Sequence, residues 1–378
     1  AIFGASAVVL NGTATVVTAG AALLLWRTAR RLGSGTLGTG KWPAVAAAAA
    51  FWVWPEAAVW NSTREFGFRE LTAAAGIGAI LFTMRLLDGR ATRDAAVLGL
   101  VLGIGWWSSP EFVYFGVAVG AAVGIAACRR VTRPHFSHLL VMVATFVVGA
   151  LPWWWTNLHT HFASLSPSAS PTYIHASYLG RLSVFFVKTL PMMFGLRLPG
   201  SGAWLGGRSG PVLYVLAAAV VAAACLWGLA HVRDPARTGH AACGLAVLAF
   251  PFEYAAFPAT SFWSDGHYGV FVVPLVILAV VGCVVGRGRR LPDATYGPVR
   301  AVVMAAVGVV VLAALSLSTT AAFTSQFLGG DRRSFWRGPS DPNNPAEHAS
   351  QVLEAAGIHD AYADYWVAYD LDFLGRWG

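Results

Sequence analysis

Charged residues are scarce in this chain of 378 residues, since Asp, Glu, Lys and Arg together make up only 12% of it. A soluble domain usually has about a quarter of its residues charged. Hydrophobic residues reach 56%, and the mean hydropathy is +0.59. This balance excludes an ordinary soluble protein and favours a polytopic helical membrane protein.

Cysteine is also rare, and the four cysteines are Cys128, Cys225, Cys243 and Cys283. They are scattered within apolar segments, and none belongs to a Cys-x-x-Cys pair. The spacing therefore predicts neither a disulfide framework nor a metal site. We expect these thiols to be small buried hydrophobic groups.

The basic residues alternate along the chain. Sixteen of the 26 Lys and Arg residues fall at alternate ends of the apolar segments, and 14 of the 18 acidic residues fall at the other ends, which are also rich in Trp, Pro and His. The arginine-rich ends are 27–41, 85–93, 129–133, 233–237 and 287–300. The positive-inside rule assigns them to the cytoplasm. The net charge of +8 then reflects topology, so nucleic-acid binding is not expected.

A membrane-spanning helix needs about 20 apolar residues. We expect about ten spans, near residues 6–26, 43–60, 71–87, 95–108, 110–128, 139–156, 211–231, 241–257, 268–286 and 300–319. The segment 95–108 is short, so we expect it to be tilted, re-entrant or thinly covered by lipid. The fold class predicted is an all-α polytopic membrane protein, multi-pass in the cell membrane, with its membrane domain in residues 1–319.

Glycines recur every four residues on two neighbouring predicted helices. Gly99 and Gly103 lie on one, and Gly116, Gly120 and Gly124 lie on the next. Small residues at this spacing allow helices to approach closely. We interpret the pattern as helix packing.

Residues 157–210 form an outer loop that is too long for a connecting turn, and such loops are usually functional. Its stretch 181–200 mixes apolar residues with Arg181, Lys188 and Arg197. This mixture suits interfacial helices whose basic groups lie near lipid phosphates. Trp153 to Trp155, just before the loop, are explained most simply as an aromatic belt.

Residues 320–378 change to a polar composition. A helix is expected at 346–356 with Gly357 as its stop, and the alternation after it suggests a strand. We therefore predict a small C-terminal α/β outer segment that packs on the outer loops or is incomplete. The first apolar run enters the bilayer from the outer side, so we also expect a helix and an outer loop to precede Ala1.

Ionisable residues near the outer boundary are candidate site groups, because charge within lipid is costly and usually functional. Glu56, Arg64, Glu65, Arg69 and Glu70 lie in or beside the first outer loop of the chain. Glu111 follows Ser109 and Pro110, the pattern of an N-cap and first helical turn. Capping explains Glu111 more simply than catalysis does.

Further candidates lie near the last outer loop. Glu253 stands in the apolar stretch FPFEYAAF and needs a partner, a cavity or a ligand. Asp265, His267 and Tyr268 stand together where a helix re-enters the membrane, and a donor-rich helix start suits a phosphate. An ordinary Asp-Gly turn beside an interfacial tyrosine is the alternative. No metal site is predicted.

Six segments resemble the GT-C membrane glycosyltransferases of the protein O-mannosyltransferase and aminoarabinose transferase type. They are AIFGASAVVL at the start, GLVLGIGWWSSPEFVYF from Gly99, LPWWWTNLHTHFASL from Leu151, KTLPMMFGLR from Lys188, DGHYGVFVVPL from Asp265 and GIHDAYADYWVAYDLDFL near the end. The resemblance implies a GT-C-like fold. It also implies transfer of a sugar from a polyprenyl-phosphate donor to a protein, lipid or glycan hydroxyl on the extracytoplasmic face.

The resemblance also implies residue roles. The usual general base is an acidic residue in the first outer loop of the family, which would precede Ala1, and Glu56 and Glu65 are the weaker candidates within the chain. The expected donor phosphate-binding residues are Arg64, Lys188, Arg197, His267 and Tyr268. The family commonly has Arg-Tyr where this chain has His267 and Tyr268, and a histidine is charged only over part of the physiological pH range. No cofactor is predicted, and the motifs carry no sign for or against a divalent metal ion.

Two other classes stay open. A secondary transporter would often show inverted repeats and paired broken helices, whereas this sequence has no internal repeat and concentrates its polar residues at one surface. A non-catalytic subunit or fragment is the third reading, because the expected base lies outside the chain.

Overall fold

The computed structural model describes residues 7–33, 41–55, 69–89, 91–129, 136–162, 176–198, 201–261, 266–288, 297–329, 351–353 and 355–357. Nearly all of these residues are helical, and none of them forms a strand. The all-α class is therefore confirmed for the described part. The strand expected after Gly357 lies outside it.

The described helices are α1 (Ala7–Leu32), α2 (Lys41–Trp52), α3 (Arg69–Gly89), α4 (Thr92–Ser108), α5 (Val113–Cys128), α6 (Phe136–Gly149), α7 (Leu151–His159), α8 (Tyr178–Val184), α9 (Leu190–Met193), α10 (Ser209–Ala230), α11 (Thr238–Ala256), α12 (Val272–Gly288) and α13 (Gly297–Gly329). A π-helical turn, Phe185–Thr189, joins α8 to α9. Short 3-10 turns precede α5, α11 and α12, and another follows α11.

The chain divides into two compact units. The larger is Ala14–Ala322, and the smaller combines Ala1–Thr13 with Phe323–Gly378. In the smaller unit residues 351–353 and 355 are helical, and Gly357 has a φ of +65°. A left-handed glycine just past the last turn is a common helix stop. The described part of the predicted C-terminal helix agrees with this expectation.

Among the described residues, four helices are long and apolar enough to cross a membrane, namely Arg69–Gly89, Pro110–Cys128, Ser209–Ala230 and His267–Val285. The pair Phe136–Gly149 and Leu151–His159 is bent by 59° and counts as a fifth if it is one broken span. These helices indicate a helical membrane protein. The described residues do not support ten spans, because several expected segments form helices that are too short. The α2 helix ends at Trp52 after 12 residues, and α4 has 17.

The core of the larger unit lies where α11 packs against α5, α10 and α12. The fit is close: a Cβ added to Gly244 of α11 would lie 2.9 Å from the carbonyl oxygen of Cys225 in α10. Cys225, Cys243 and Cys283 are buried in this region, as the sequence predicted. Cys128 at the end of α5 is exposed instead.

Only part of the glycine pattern serves helix packing. A Cβ on Gly99 would lie 2.1 Å from the carbonyl oxygen of Met142, and one on Gly103 would lie 2.2 Å from that of Phe146. These glycines therefore let α4 touch the backbone of α6. Gly116, Gly120 and Gly124 have no atom of another element within 4 Å of an added Cβ. The helix packing expected of this pattern is therefore confirmed for Gly99 and Gly103, with α6 as their partner.

The basic helix ends come together at one end of the bundle, which we call the arginine end. Arg31 at the end of α1 pairs with Asp88 at the end of α3, with 2.8 Å between Nη2 and Oδ2. Arg85 and Asp94 are also 2.8 Å apart. The end of α5 joins the start of α11, where Arg129 Nη1 donates to Thr238 Oγ1 over 2.6 Å. These contacts agree with the alternation in the sequence.

The contact between α4 and α6 can be tested with a matched glycine pair. Gly103→Ala should destabilise the protein by about 1–3 kcal/mol, because the methyl group overlaps backbone atoms that cannot rotate away. Gly120→Ala meets open space and should be neutral or stabilising by up to about 1 kcal/mol, since alanine is the better helix former. Unfolding by SDS titration in mixed micelles measures both, and equal effects would contradict the packing described.

The exposed thiol of Cys128 provides a topology test, because it neighbours Arg129 at the arginine end. If this end is cytoplasmic, a membrane-impermeant maleimide should label inside-out vesicles and leave intact cells unlabelled. The buried Cys225, Cys243 and Cys283 should stay unreactive, and Cys128→Ser should abolish the signal. Labelling of intact cells at Cys128 would reverse the predicted orientation.

Candidate functional site

A buried ion pair marks the opposite end of the bundle, which we call the aromatic end; it comprises Arg69, Ser109 to Glu111, Tyr254, His267 and Tyr268. Arg69 Nε lies 3.6 Å from Glu111 Oε2, and the two side chains are 10% and 11% exposed. Ser109 caps the turn, since its Oγ accepts from the Glu111 N–H over 3.1 Å with Pro110 at the first position. The predicted capping role of this turn is confirmed. The Glu111 carboxylate also neutralises Arg69 at the start of α3.

His267 and Tyr268 lie beside this pair. Their rings are 4.0 Å apart between centroids, and the Arg69 guanidinium carbon is 5.4 Å from the centre of the Tyr268 ring. The separation from Tyr268 suits a cation–π contact. His267 is buried. The structure thus brings the predicted residues Glu111, His267 and Tyr268 together around an arginine.

Gly266 fixes the position of His267. Its φ of +71° is a left-handed conformation that favours glycine. A Cβ there would also lie 2.7 Å from the Met193 side chain and 2.8 Å from that of Met192. The turn before α12 therefore fits against α9 only because residue 266 has no side chain.

A hydroxyl network joins the π turn to the end of α11. Thr189 Oγ1 lies 2.9 Å from Tyr254 Oη, which donates to the Thr260 carbonyl over 3.0 Å. Thr260 Oγ1 returns a hydrogen bond of 2.9 Å to the Tyr254 carbonyl. π turns often occur at functional sites. The half-buried Lys188 belongs to this one.

The α8 helix is anchored on the same helix end. Arg181 Nε donates to the Ala255 carbonyl over 2.7 Å, and the Tyr178 hydroxyl donates to the Phe252 carbonyl over 3.3 Å. A cation is favourable at a helix C-terminus. Arg181 Nη1 also donates to the Ala176 carbonyl, and the expected position of this side chain near lipid phosphates stays a prediction.

Arg197 is a buried cation without an ion pair among the described residues. It sits in a tight loop where Leu198 and Leu205 donate backbone hydrogen bonds of 2.9 Å to Ala203 and Leu196. Its guanidinium carbon lies 4.5 Å from the centre of the Trp204 ring, and the residue is 9% exposed. Neither Nε nor Nη1 has a hydrogen-bond partner in the described part. Burial lowers the pKa of the Arg197 guanidinium, and an anion would relieve that cost.

The remaining candidates divide into two groups. Glu253 is half-buried at the last turns of α11. Glu56, Arg64, Glu65 and Asp265 lie outside the described residues. The sequence predicted Arg64 as a phosphate-binding residue and named Arg69 only as one of the ionisable residues near the outer boundary. Its only local signal was an arginine at the start of an apolar helix, and the pairing with Glu111 depends on tertiary structure.

No group of three or more His, Cys, Asp or Glu side chains able to hold a metal ion occurs in the described ranges. Comparison with known proteins gives no further guide, since no family model, curated protein or solved structure matches this chain. The site must therefore be interpreted from its own residues.

Replacing only one partner of the ion pair of Arg69 and Glu111 should lower the free energy of unfolding strongly. Arg69→Met leaves a buried carboxylate uncompensated and should destabilise the protein by about 3–5 kcal/mol, whereas the double variant Arg69→Met/Glu111→Gln should recover most of that loss. SDS titration measures the free energy of unfolding. The exposed pair of Arg31 and Asp88 is the control, because Arg31→Met should cost less than about 1 kcal/mol. Equal losses for Arg69→Met and Arg31→Met would contradict a buried, energetically coupled pair.

Proposed function

We propose that this protein is a membrane glycosyltransferase that takes a sugar from a polyprenyl-phosphate donor and passes it to an acceptor hydroxyl on the extracytoplasmic face. The observation that carries the proposal is the cluster of Arg69, Glu111, His267 and Tyr268, which brings together the start of α3 and the turns before α5 and α12. Motifs that resemble GT-C enzymes supply the reaction. The finer fold, with a GT-C-like arrangement and further spans, is part of the same proposal.

The reaction requires three kinds of group. A carboxylate takes the proton of the acceptor hydroxyl, while the acceptor oxygen bonds to the anomeric carbon and the bond from that carbon to the phosphate oxygen breaks. Cations or hydrogen-bond donors stabilise the departing lipid phosphate. The long prenyl chain requires a surface open to lipid. The apolar helices that face outward at the protein surface suit the last requirement.

The described residues suit the second requirement best. Arg69 and His267 lie together at the aromatic end, and Lys188 and Arg197 follow on the segment that packs against it. Arg197 has two unpaired N–H groups and no carboxylate beside it in the described part, which favours an anionic ligand. Glu111 is engaged with Arg69, so we assign it to positioning. Glu56 and Glu65 are the candidates for the base within this sequence.

Sugar transfer in the full-length protein tests the proposal. Wild-type protein in liposomes should transfer labelled sugar from a polyprenyl-phosphate donor to an acceptor glycan or protein. Arg197→Gln and His267→Ala should each lower turnover by roughly 100-fold, since both remove donors that stabilise the leaving phosphate. The matched control is Arg233→Gln, an exposed arginine near the arginine end, which should keep full activity.

Two results would overturn this function. Unchanged turnover in both Arg197→Gln and His267→Ala would remove the assigned phosphate-binding roles. Uptake of a solute into proteoliposomes without any sugar transfer would favour the transporter class instead, for which the 59° break between α6 and α7 is the relevant feature.

A further inference from the structure

Two buried side-chain oxygens at the aromatic end have no hydrogen-bond partner among the described residues. One is the hydroxyl of Tyr114 in the first turn of α5, and the other is Oε2 of Glu253 near the end of α11. Tyr114 is 0% exposed, whereas Glu253 is only half-buried. Buried polar groups are almost always paired. A donor and an acceptor left over on two neighbouring helices therefore require an explanation.

The two groups belong to one place in the fold. The Tyr114 ring packs between Phe250 and Phe257, with centroid separations of 4.7 Å and 5.7 Å. Glu253 lies three residues after Phe250 and four before Phe257, so these three side chains share one side of the helix end. The ring is thus held against the stretch of α11 that carries the carboxylate.

The surrounding polar groups leave this pair unmatched. Tyr254, the neighbour of Glu253, already bonds to Thr189 and Thr260. Glu111, one turn before Tyr114, pairs with Arg69. No hydrogen bond joins Tyr114 to Glu253 directly. A third group is therefore needed to satisfy both oxygens.

We propose that Tyr114 and Glu253 bind a hydroxyl group of a carbohydrate ligand. A hydroxyl is both donor and acceptor, so it can accept from the Tyr114 O–H and donate to the Glu253 carboxylate at once. A phosphate would be repelled by the carboxylate, and a cation would leave the tyrosine donor unsatisfied. The half-buried Glu253 provides the entry side. This inference rests on the proposed function in one respect: if the protein is a glycosyltransferase, the bound hydroxyl belongs to its glycan acceptor.

Chemical labelling tests the site without measuring sugar transfer. Dicyclohexylcarbodiimide modifies carboxyl groups in apolar surroundings, and mass spectrometry locates the adduct. In the full-length protein Glu253 should be labelled, and methyl α-D-mannopyranoside should protect it in a saturable manner. Tyr114→Phe should keep the labelling and lose the protection. Tyr178→Phe is the matched control, because its hydroxyl bonds to the neighbouring Phe252 carbonyl, and it should keep the protection.

A second measurement guards against misfolded variants. The mannoside should raise the melting temperature of the wild-type protein, since a ligand that binds the folded state stabilises it. Glu253→Gln should melt cooperatively without that shift. Labelling with no protection by the mannoside would mean that water alone bridges the two oxygens, and it would overturn the proposal. Absence of a Glu253 adduct, or equal protection in Tyr114→Phe, would also overturn it.

The outcomes separate this site from the proposed enzyme. Protection that requires Tyr114, in a protein without transferase activity, would support the hydroxyl site and refute the proposed function. Sugar transfer that persists while the mannoside gives no protection would refute the hydroxyl site alone.

Discussion

The C-terminal end of α11 is held by side chains from one distant segment, and the aromatic end of the bundle depends on this contact. The last turn of any helix leaves carbonyl groups without intrahelical partners. Here Arg181 and Tyr178 donate to the carbonyls of Ala255 and Phe252. Thr189 then joins the hydroxyl of Tyr254. Residues 178–189 therefore satisfy the polar groups that would otherwise make this helix end costly to bury.

Residues 190–195, which follow this segment, contact three other elements. The Met193 carbonyl accepts from the indole N–H of Trp54, just after α2, and the Gly195 carbonyl accepts from Thr319 in α13 over 2.9 Å. The side chains of α9 fill the space beside Gly266, which places His267 next to Tyr268 and Arg69. One capped helix end thus fixes the geometry of a site whose residues are far apart in the sequence.

Local features were predictable from the sequence, whereas tertiary pairings were not. Ser109, Pro110 and Glu111 form a cap because a cap depends on adjacent residues. The contacts of the basic helix ends agree with the alternation seen in the sequence, because that alternation depends only on which helix ends are charged. The partners of Gly99 and Arg181 belong to other helices, and no spacing along the chain encodes them. The predicted length of the span at 43–60 was wrong for another reason, because apolar composition alone did not indicate that α2 ends at Trp52.

The arginines of the aromatic end differ in how their charge is stabilised. Arg69 faces a carboxylate and Arg181 faces carbonyl oxygens, so both recover part of the hydration that they lose on burial. Arg197 faces the Trp204 ring, while its Nε and Nη1 have no hydrogen-bond partner in the described part. A desolvated cation–π contact is worth about 2 kcal/mol. The effective penalty for burying an ion is several kcal/mol. The contact with Trp204 therefore does not offset the cost, and an anion bound at Arg197 would recover more free energy than one bound beside Arg69 or Arg181.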